Sequence, residues 1–241
     1  MIIGSFFWLR KIIGIIMKVI NVLGVKIKDF PLKELLMKSS DYMSIPGVHT
    51  LSWLSANTLL TVSENVEQTD WINDLDLMIC DQAGILKSGR AASQLHQDGK
   101  SQDFMNNYLN YLTHAKAPIV LISDDENRMR QFKKMLRLHN NKLHIINDFI
   151  INDLEALDDL FNDINTDFPR VVFTCLSWTT QGPLFEEARR MSSASMWVGF
   201  LPEMVAEMQG DKSARSEGFF ERFLFGRRVA SYEKGTNRLL K

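Results

Sequence analysis

The feature that most constrains this chain is an alternation of short apolar runs with segments of helical periodicity. The apolar runs predict strands at residues 19–27, 48–54, 75–80, 119–122, 143–146, 171–175 and 195–200. The periodic segments predict helices at residues 32–43, 56–66, 101–114, 126–138, 153–164 and 183–191. Strands that are apolar along their whole length are buried on both faces, so the pattern predicts an α/β fold with a mostly parallel sheet flanked by helices.

Composition divides the chain into three parts. Residues 1–16 are apolar but interrupted by Arg10 and Lys11, which is typical of a helix lying on a membrane surface. Alternatively, the folded domain begins at Met17. Residues 17–209 carry the strand–helix alternation, and residues 210–241 mix arginines with clustered phenylalanines, which predicts a helical C-terminal appendage. Basic ends beside apolar residues indicate contact with an anionic leaflet.

Charge and cysteine content narrow the function classes. The net charge is −1, so the molecule as a whole is not an electrostatic nucleic-acid binder, and no nucleic-acid partner is expected. The two cysteines, Cys80 and Cys175, end apolar runs and are predicted to be buried reduced thiols in a reducing compartment. The sequence has no CxxC motif and no Cys/His cluster, so neither a metal site nor a cofactor is predicted.

The residues that follow the third predicted strand are the sharpest candidates for chemistry. Parallel sheets bind ligands at the carboxyl ends of their strands, and Asp81 comes directly after the run 75–80. An acid there can act as a general base, Gly84 lets backbone approach a ligand, and Arg90 can pair with a phosphate. The alternative is a surface turn with a salt bridge.

Two other acidic groups and two tryptophans have structural explanations. Residues 74–76 have the Asp-x-Asp spacing of a metal-binding pair, but they precede a strand, so solvated acids at a helix end are expected. Residues 124–126 are acidic and precede a helix, which predicts an N-cap; they would repel a phosphate. Trp53 and Trp178 are expected in the core, with an aromatic wall for a base or sugar as the alternative.

Five segments have the order and spacing of one known family. Residues 22–25 (VLGV) stand at its first strand, residues 76–84 (DLMICDQAG) at its strand and Asp-Gly-x-Gly loop, and Arg90 at its arginine. Residues 177–181 (SWTTQ) stand at its Gly-x-Pro-x-Gln segment, and residues 218–228 at its arginine-rich end. In these segments the chain resembles the WecG/TagA/CpsF glycosyltransferase family from about Val19 to the C-terminus.

The resemblance implies a Rossmann-like fold and a transferase activity. Family members move a sugar, often an N-acetylmannosamine derivative or a related hexose, from a UDP-sugar to a polyprenol-diphosphate-linked acceptor in bacterial polysaccharide or wall-polymer synthesis. By the same resemblance, the chain is expected to be an inverting, metal-independent enzyme with the UDP-sugar as its donor substrate. It is expected in the cytoplasm, peripheral at the inner face of the cell membrane. A homo-oligomer is compatible with this interpretation.

The resemblance also implies roles for individual residues. Asp81 would be the base that activates the acceptor hydroxyl. The substrate-binding residues would be Ser55, Gly84, Arg90 and Gln181. The residues that contact membrane or phosphate would be Arg222, Arg227 and Arg228. No residue is assigned to a metal.

Several positions depart from the family pattern, mostly where it has glycine. The substituted positions are Trp53 and Ser55, Gln82, Ser123 and Asp124, and Ser177 and Thr179. Side chains at these positions add bulk where a ligand needs close approach. The alternative function is therefore a catalytically decayed member that acts as a membrane-associated scaffold or as the partner of another transferase. A further alternative is an unrelated α/β nucleotide or nucleic-acid protein, in which the tail arginines would contact phosphates.

Overall fold

The computed structural model describes residues 17–80, 101–152, 154 and 157–208. A small hairpin comes first, formed by β1 (Lys18–Val22) and β2 (Val25–Asp29). The strands of the main sheet are β3 (His49–Leu54), β4 (Leu77–Cys80), β5 (Ile119–Ser123), β6 (Ile145–Ile150), β7 (Val171–Cys175) and β8 (Met196–Phe200). The helices are α1 (Leu32–Tyr42), α2 (Ala56–Val62), α3 (Val66–Asn73), α4 (Ser101–His114), α5 (Glu126–His139), α6 (Leu157–Thr166), α7 (Trp178–Met191) and α8 (Pro202–Met208).

The main sheet is parallel throughout, with the strand order β4-β3-β8-β7-β5-β6. The chain runs from β3 out to β4, crosses the sheet to β5 and on to the edge strand β6, and returns through β7 to β8. Each reversal of direction sends the next helix to the opposite face of the sheet. The α/β Rossmann-like architecture predicted from the sequence is confirmed. The reversals open crevices at the carboxyl ends of the central strands.

Each face of the sheet has its own hydrophobic core. The first face is covered by the hairpin and by α2, α3, α6 and α7, with Trp197 and Phe161 among its buried side chains. The second face is covered by α1, α4, α5 and α8, with Phe104, Phe132 and Phe200 among its buried side chains. Strands β5, β7 and β8 are buried along their whole length, because helices cover both of their faces.

The segment 19–27, predicted as one strand, is the hairpin of β1 and β2. Its two turn residues, Leu23 and Gly24, have positive φ angles of 54° and 87°. Such a two-residue turn matches the right-handed twist of the flanking strands, and the glycine adopts it without strain. The segment 22–25, which stands at the family's first strand, is therefore the hairpin turn and not a strand of the main sheet.

Two helix predictions need correction. The segment 56–66, predicted as one helix, spans α2 and only the first residue of α3, because the chain turns after α2 and Asn65 caps α3 by accepting a hydrogen bond from the Gln68 N–H at 3.1 Å. Helix α7 starts at Trp178, so Pro183 lies inside it and does not begin it. Helix α8, at 202–208, was not predicted. Among the described residues, no helix combines the length and apolar character needed to cross a membrane.

Candidate functional site

A crevice of about 350 Å³ lies at the carboxyl ends of β3, β5, β7 and β8. Its walls come from the segments that directly follow these four strands. The lining residues are Asn57, Thr58 and Thr61 of α2, Asp124 and Arg128 at the start of α5, residues 177–179 at the start of α7, and residues 201–203 at the start of α8. The crevice therefore lies where an open parallel sheet is expected to bind a ligand.

Three hydroxyl groups meet at the N-terminus of α7. Ser177 is the N-cap, is exposed, and makes no side-chain cap hydrogen bond. Its Oγ lies 2.9 Å from Thr179 Oγ1 and 3.3 Å from Thr180 Oγ1. The first-turn N–H groups of a helix lack partners inside the helix and carry partial positive charge. Donors and acceptors are thus available together at this wall of the crevice.

Ser55 lies behind the opposite wall and holds two elements together. Its hydroxyl oxygen accepts a hydrogen bond from the Thr58 N–H at 3.0 Å and so caps α2. The same hydroxyl donates to Oε1 of Glu203 at 2.8 Å. Ser55 is buried, whereas Glu203 is partly exposed and lines the crevice. The sequence interpretation found Ser55 but missed Glu203, although Glu203 follows β8 closely enough for the strand-end rule to have flagged it.

The charges of the crevice nearly balance. The Asp124 carboxylate forms an ion pair with the Arg128 guanidinium, and Glu203 adds a second carboxylate. The crevice lining therefore has a formal charge of −1, from two acids and one arginine. Asp124 Oδ1 is buried and has no hydrogen-bond partner within the described part of the chain. An unpaired acceptor beside several hydroxyls suits a neutral, hydroxyl-rich group better than a phosphate.

Two residues near this ion pair, Asp125 and Cys175, have pKa values shifted by their surroundings. Asp125 caps α5 by accepting a hydrogen bond from the Arg128 N–H at 2.8 Å, and this bond lowers the pKa of Asp125. The predicted N-cap in residues 124–126 is confirmed. Burial raises the pKa of the Cys175 thiol to about 12, so Cys175 is neutral below the crevice. Both cysteines are buried, as predicted.

Gln181 lies inside the protein, one turn beyond the α7 hydroxyl cluster. Its Nε2 donates to Ser52 Oγ of β3 at 2.8 Å, and its Oε1 accepts from Thr174 Oγ1 of β7 at 2.9 Å. Gly199 of β8 lies between these strands, and a Cβ added there would come within 2.1 Å of Gln181 Nε2. We call Gln181, Ser52, Thr174 and Gly199 the Gln181 bridge. With its amide engaged and fully buried, Gln181 can act on a ligand in this structure only by positioning α7.

The acidic segment 74–76 belongs to the opposite edge of the sheet. Asp76 Oδ2 accepts hydrogen bonds from the Thr50 N–H at 2.8 Å and from the Thr50 hydroxyl at 3.0 Å. Arg189 Nη2 lies 2.9 Å from the same oxygen. The expectation of a solvated acid is therefore wrong for Asp76, because Thr50 and Arg189 surround its carboxylate. Trp53 and Trp178 are both 4% exposed, which confirms core packing, and Trp178 in addition lines the crevice.

Several residues proposed for the site lie outside the described residues. They are Asp81, Gly84 and Arg90, and the tail arginines Arg222, Arg227 and Arg228. The extension 1–16 and the appendage 210–241 lie outside them as well. Cys80, the last residue of β4, directly precedes Asp81 in the chain. Within the ranges that are described, no group of His, Cys, Asp and Glu could hold a metal ion.

Comparison with known families gives one match. The model of the Glycosyl transferase WecG/TagA/CpsF family matches residues 20–210, which is most of the chain and includes every element of the main sheet. No curated protein sequence matches the chain significantly.

Proposed function

Because the chain belongs to the WecG/TagA/CpsF family of glycosyl transferases, we propose that it transfers a sugar from a UDP-sugar to a polyprenol-diphosphate-linked acceptor. The sugar is of the N-acetylmannosamine type or a related hexose. The reaction serves bacterial polysaccharide or wall-polymer synthesis, and the enzyme works at the inner face of the cell membrane.

The observation that carries this proposal is the polar crevice at the carboxyl ends of four strands. Its hydroxyls at Ser177 and Thr179 can both donate and accept, and its carboxylates at Asp124 and Glu203 accept. A sugar presents several hydroxyl groups of the same dual character, so the crevice can satisfy them from several sides. We assign the crevice to the transferred sugar.

The chemical step needs a base and an attacking hydroxyl. In our proposal Asp81 accepts the proton of the acceptor hydroxyl, whose oxygen then attacks the anomeric carbon from the side opposite UDP. The bond between that carbon and the diphosphate oxygen breaks, UDP leaves with its electron pair, and the configuration inverts. A positioned carboxylate of this kind contributes about 10²–10⁴-fold to a rate.

Charge balance sets a further requirement. The described crevice has a formal charge of −1 and offers one arginine, Arg128, which is already paired with Asp124. Stabilising a departing diphosphate requires cations placed where the charge develops. In the proposal, Arg90 and the tail arginines Arg222, Arg227 and Arg228 supply them, and Gly84 lets the backbone approach.

The two remaining site residues act from behind the crevice wall. Ser55 fixes the start of α2 and orients the Glu203 carboxylate, which can accept a hydrogen bond from a sugar hydroxyl. Gln181 fixes α7 under the hydroxyl cluster through the Gln181 bridge. We therefore propose both as positioning residues.

The test is calorimetric binding of UDP and UDP-sugars to the full chain, together with transfer to a polyprenol-diphosphate-linked acceptor. We compare wild type with Asp81→Asn and with Asp158→Asn, an exposed aspartate on α6 that serves as the matched control. We expect Asp81→Asn to bind the donor but to lose transfer by about 10²-fold or more. The control should keep both.

Two results would contradict the proposal at different points. Full transfer by Asp81→Asn would remove Asp81 as the base while leaving the transferase intact. Folded wild-type protein that binds no UDP-sugar, with lipid vesicles present, would overturn the transferase proposal in favour of the scaffold.

A further inference from the structure

The outer side of α5 carries a continuous basic stripe. Its residues are Arg130, Lys133, Lys134, Arg137 and Leu138, which line a shallow groove of about 310 Å³. They recur at the three- and four-residue spacings that share one helical face. The opposite side of the helix faces the core with Met129, Phe132, Met135 and Leu136. We call the five outer residues the α5 stripe.

Two of the four cations of the α5 stripe have an ion-pair partner among the described residues. Lys133 Nζ lies 2.6 Å from Asp148 Oδ1, and Arg130 lies 3.7 Å from Glu126. Lys134 and Arg137 are exposed and form no ion pair within the described ranges. Among the described residues, two positive charges on the same face of α5 therefore face solvent without an ion-pair partner.

One helix on the other face of the sheet carries the opposite charge. Helix α6 exposes Asp158, Asp159 and Asp163 and has no basic residue. Helix α5 has five Lys or Arg residues against one acid, a formal charge of +4, whereas α6 has −3. Helices α5 and α6 lie on opposite faces of the sheet, so these two helices present opposite charges on opposite sides of it. An anionic surface would attract the α5 face and repel the α6 face.

We propose that the α5 stripe docks the protein on an anionic lipid leaflet. Cations beside an exposed apolar side chain are the combination that such a leaflet binds, and Leu138, at the C-terminal end of the stripe, is 68% exposed. Nucleic acid is the less fitting polyanion, because the stripe has no aromatic side chain on which a base could stack.

This orientation also brings the crevice near the leaflet. Arg128 lines the crevice and Arg137 lies on the stripe. The nine residue steps from Arg128 to Arg137 span about 14 Å of helix at about 1.5 Å per residue. A lipid-linked acceptor in the leaflet would then be within reach of the site. This last step rests on the proposed function, whereas the docking itself does not.

The experiment measures binding of the full chain to phosphatidylcholine vesicles with and without phosphatidylglycerol. We compare wild type with Lys134→Glu/Arg137→Glu and with a control of equal charge change, Lys26→Glu/Arg190→Glu. The two control residues are exposed and lie on the hairpin and on α7, away from the stripe. We expect the stripe variant to bind the anionic vesicles about tenfold or more weakly, and the control to change less than about threefold.

A second variant separates lipid from other polyanions. Leu138→Ala keeps every charge, so it should weaken binding to anionic vesicles by about threefold or more while leaving binding to a single-stranded RNA oligonucleotide unchanged. Equal losses for the stripe variant and the control would overturn the proposal. So would RNA binding that depends on Lys134 and Arg137 when vesicle binding does not.

The docking proposal and the proposed function fail separately. UDP-sugar binding measured without vesicles should be the same for wild type and for Lys134→Glu/Arg137→Glu. Loss of vesicle binding with intact donor binding supports the docking surface. Absence of donor binding in both proteins would contradict the transferase and leave the vesicle result standing.

Discussion

The two edges of the main sheet use polar residues in opposite ways. At the edge formed by the amino ends of the strands, the amino edge, Oδ2 of Asp76 accepts hydrogen bonds from the Thr50 N–H, the Thr50 hydroxyl and Arg189. Arg189 also donates to the Asp74 carbonyl. At the carboxyl edge, the Ser177 and Thr179 hydroxyls line an open crevice, and a buried oxygen of Asp124 has no partner within the described ranges. The polar groups of the first edge satisfy one another, whereas those of the second line an open crevice.

The difference indicates that substitutions at the amino edge reduce stability, whereas substitutions at the carboxyl edge weaken ligand binding. Polar groups that satisfy one another inside the protein are costly to remove, because the partner left behind is desolvated without a hydrogen bond. Exposed hydroxyls at a crevice keep their hydrogen bonds to water, so their loss costs little stability but weakens ligand binding. The Gln181 bridge lies between the two edges, and its polar groups are bonded to one another inside the protein, as at the amino edge.

The largest loss of stability is expected from a side chain added at Gly199, where the Gln181 amide occupies the space. Gly199→Ala places a Cβ within 2.1–2.5 Å of three atoms of the Gln181 amide. Overpacking a buried site costs about 3 kcal/mol, which urea unfolding would measure. The control is Gly199→Ala/Gln181→Ala, which removes the clashing amide and should lose less than the sum of the two single variants. Additive losses would contradict the steric explanation.

A smaller effect is expected from opening the amino edge. Arg189→Met removes the donor to Asp76 and to the Asp74 carbonyl. Both side chains of the ion pair are partly exposed, at 35% and 24%, so water recovers part of the loss and about 1–2 kcal/mol of stability should disappear.

Arg190→Met is the matched control for this amino-edge variant. Arg190 is 72% exposed and pairs with Glu187 at 3.0 Å on the helix surface. Its loss should cost less than about 0.5 kcal/mol in the same unfolding measurement. Equal losses of stability for the two variants would show that the Arg189 contacts at the amino edge contribute no more than an exposed surface ion pair.

The smallest effect on stability is expected at the carboxyl edge. Thr179→Val keeps the shape of the side chain and removes one hydroxyl from the crevice. Stability should change by less than about 0.5 kcal/mol, whereas UDP-sugar affinity should fall by about 3–10-fold, the loss of one hydrogen bond.

Thr166→Val serves as the control for this carboxyl-edge variant. Thr166 is exposed on α6, where its hydroxyl bonds the Asn162 carbonyl, far from the crevice. Calorimetry should find its donor affinity unchanged. A Thr179 variant that binds the donor as tightly as wild type would remove the α7 hydroxyls from the site.

The elements predicted most accurately are those whose signals are local. The bounds of α4 and β7 agree with the prediction at both ends, because periodicity, an apolar run and a preceding Pro169 mark them within a few residues. The hairpin was missed, because its two strands and turn form one apolar run in which Leu23 takes a positive φ angle. The start of α7 was missed, because Pro183 resembles a first-turn proline.

The candidate site was predictable only in part. The sequence pointed to Ser55 and residues 177–181 through the family resemblance and to residues 124–126 as a helix N-cap, and all of these lie around the crevice or just behind it. It did not distinguish an open hydroxyl at Ser177 from a buried amide at Gln181, since burial depends on which helix covers which strand. It also did not reveal that Glu203 is the partner of Ser55.

The sequence by itself determined the fold class and the edge of the sheet at which a ligand is expected, because hydrophobic periodicity acts over neighbouring residues. Only the tertiary structure decided which polar groups meet. Ser55 bonds Glu203 across 148 residues, and Gln181 bonds Ser52 across 129. Such pairs exist because the strand order places β3 beside β8 and β7 beyond it, and strand order arises from packing the whole sheet rather than from any local segment.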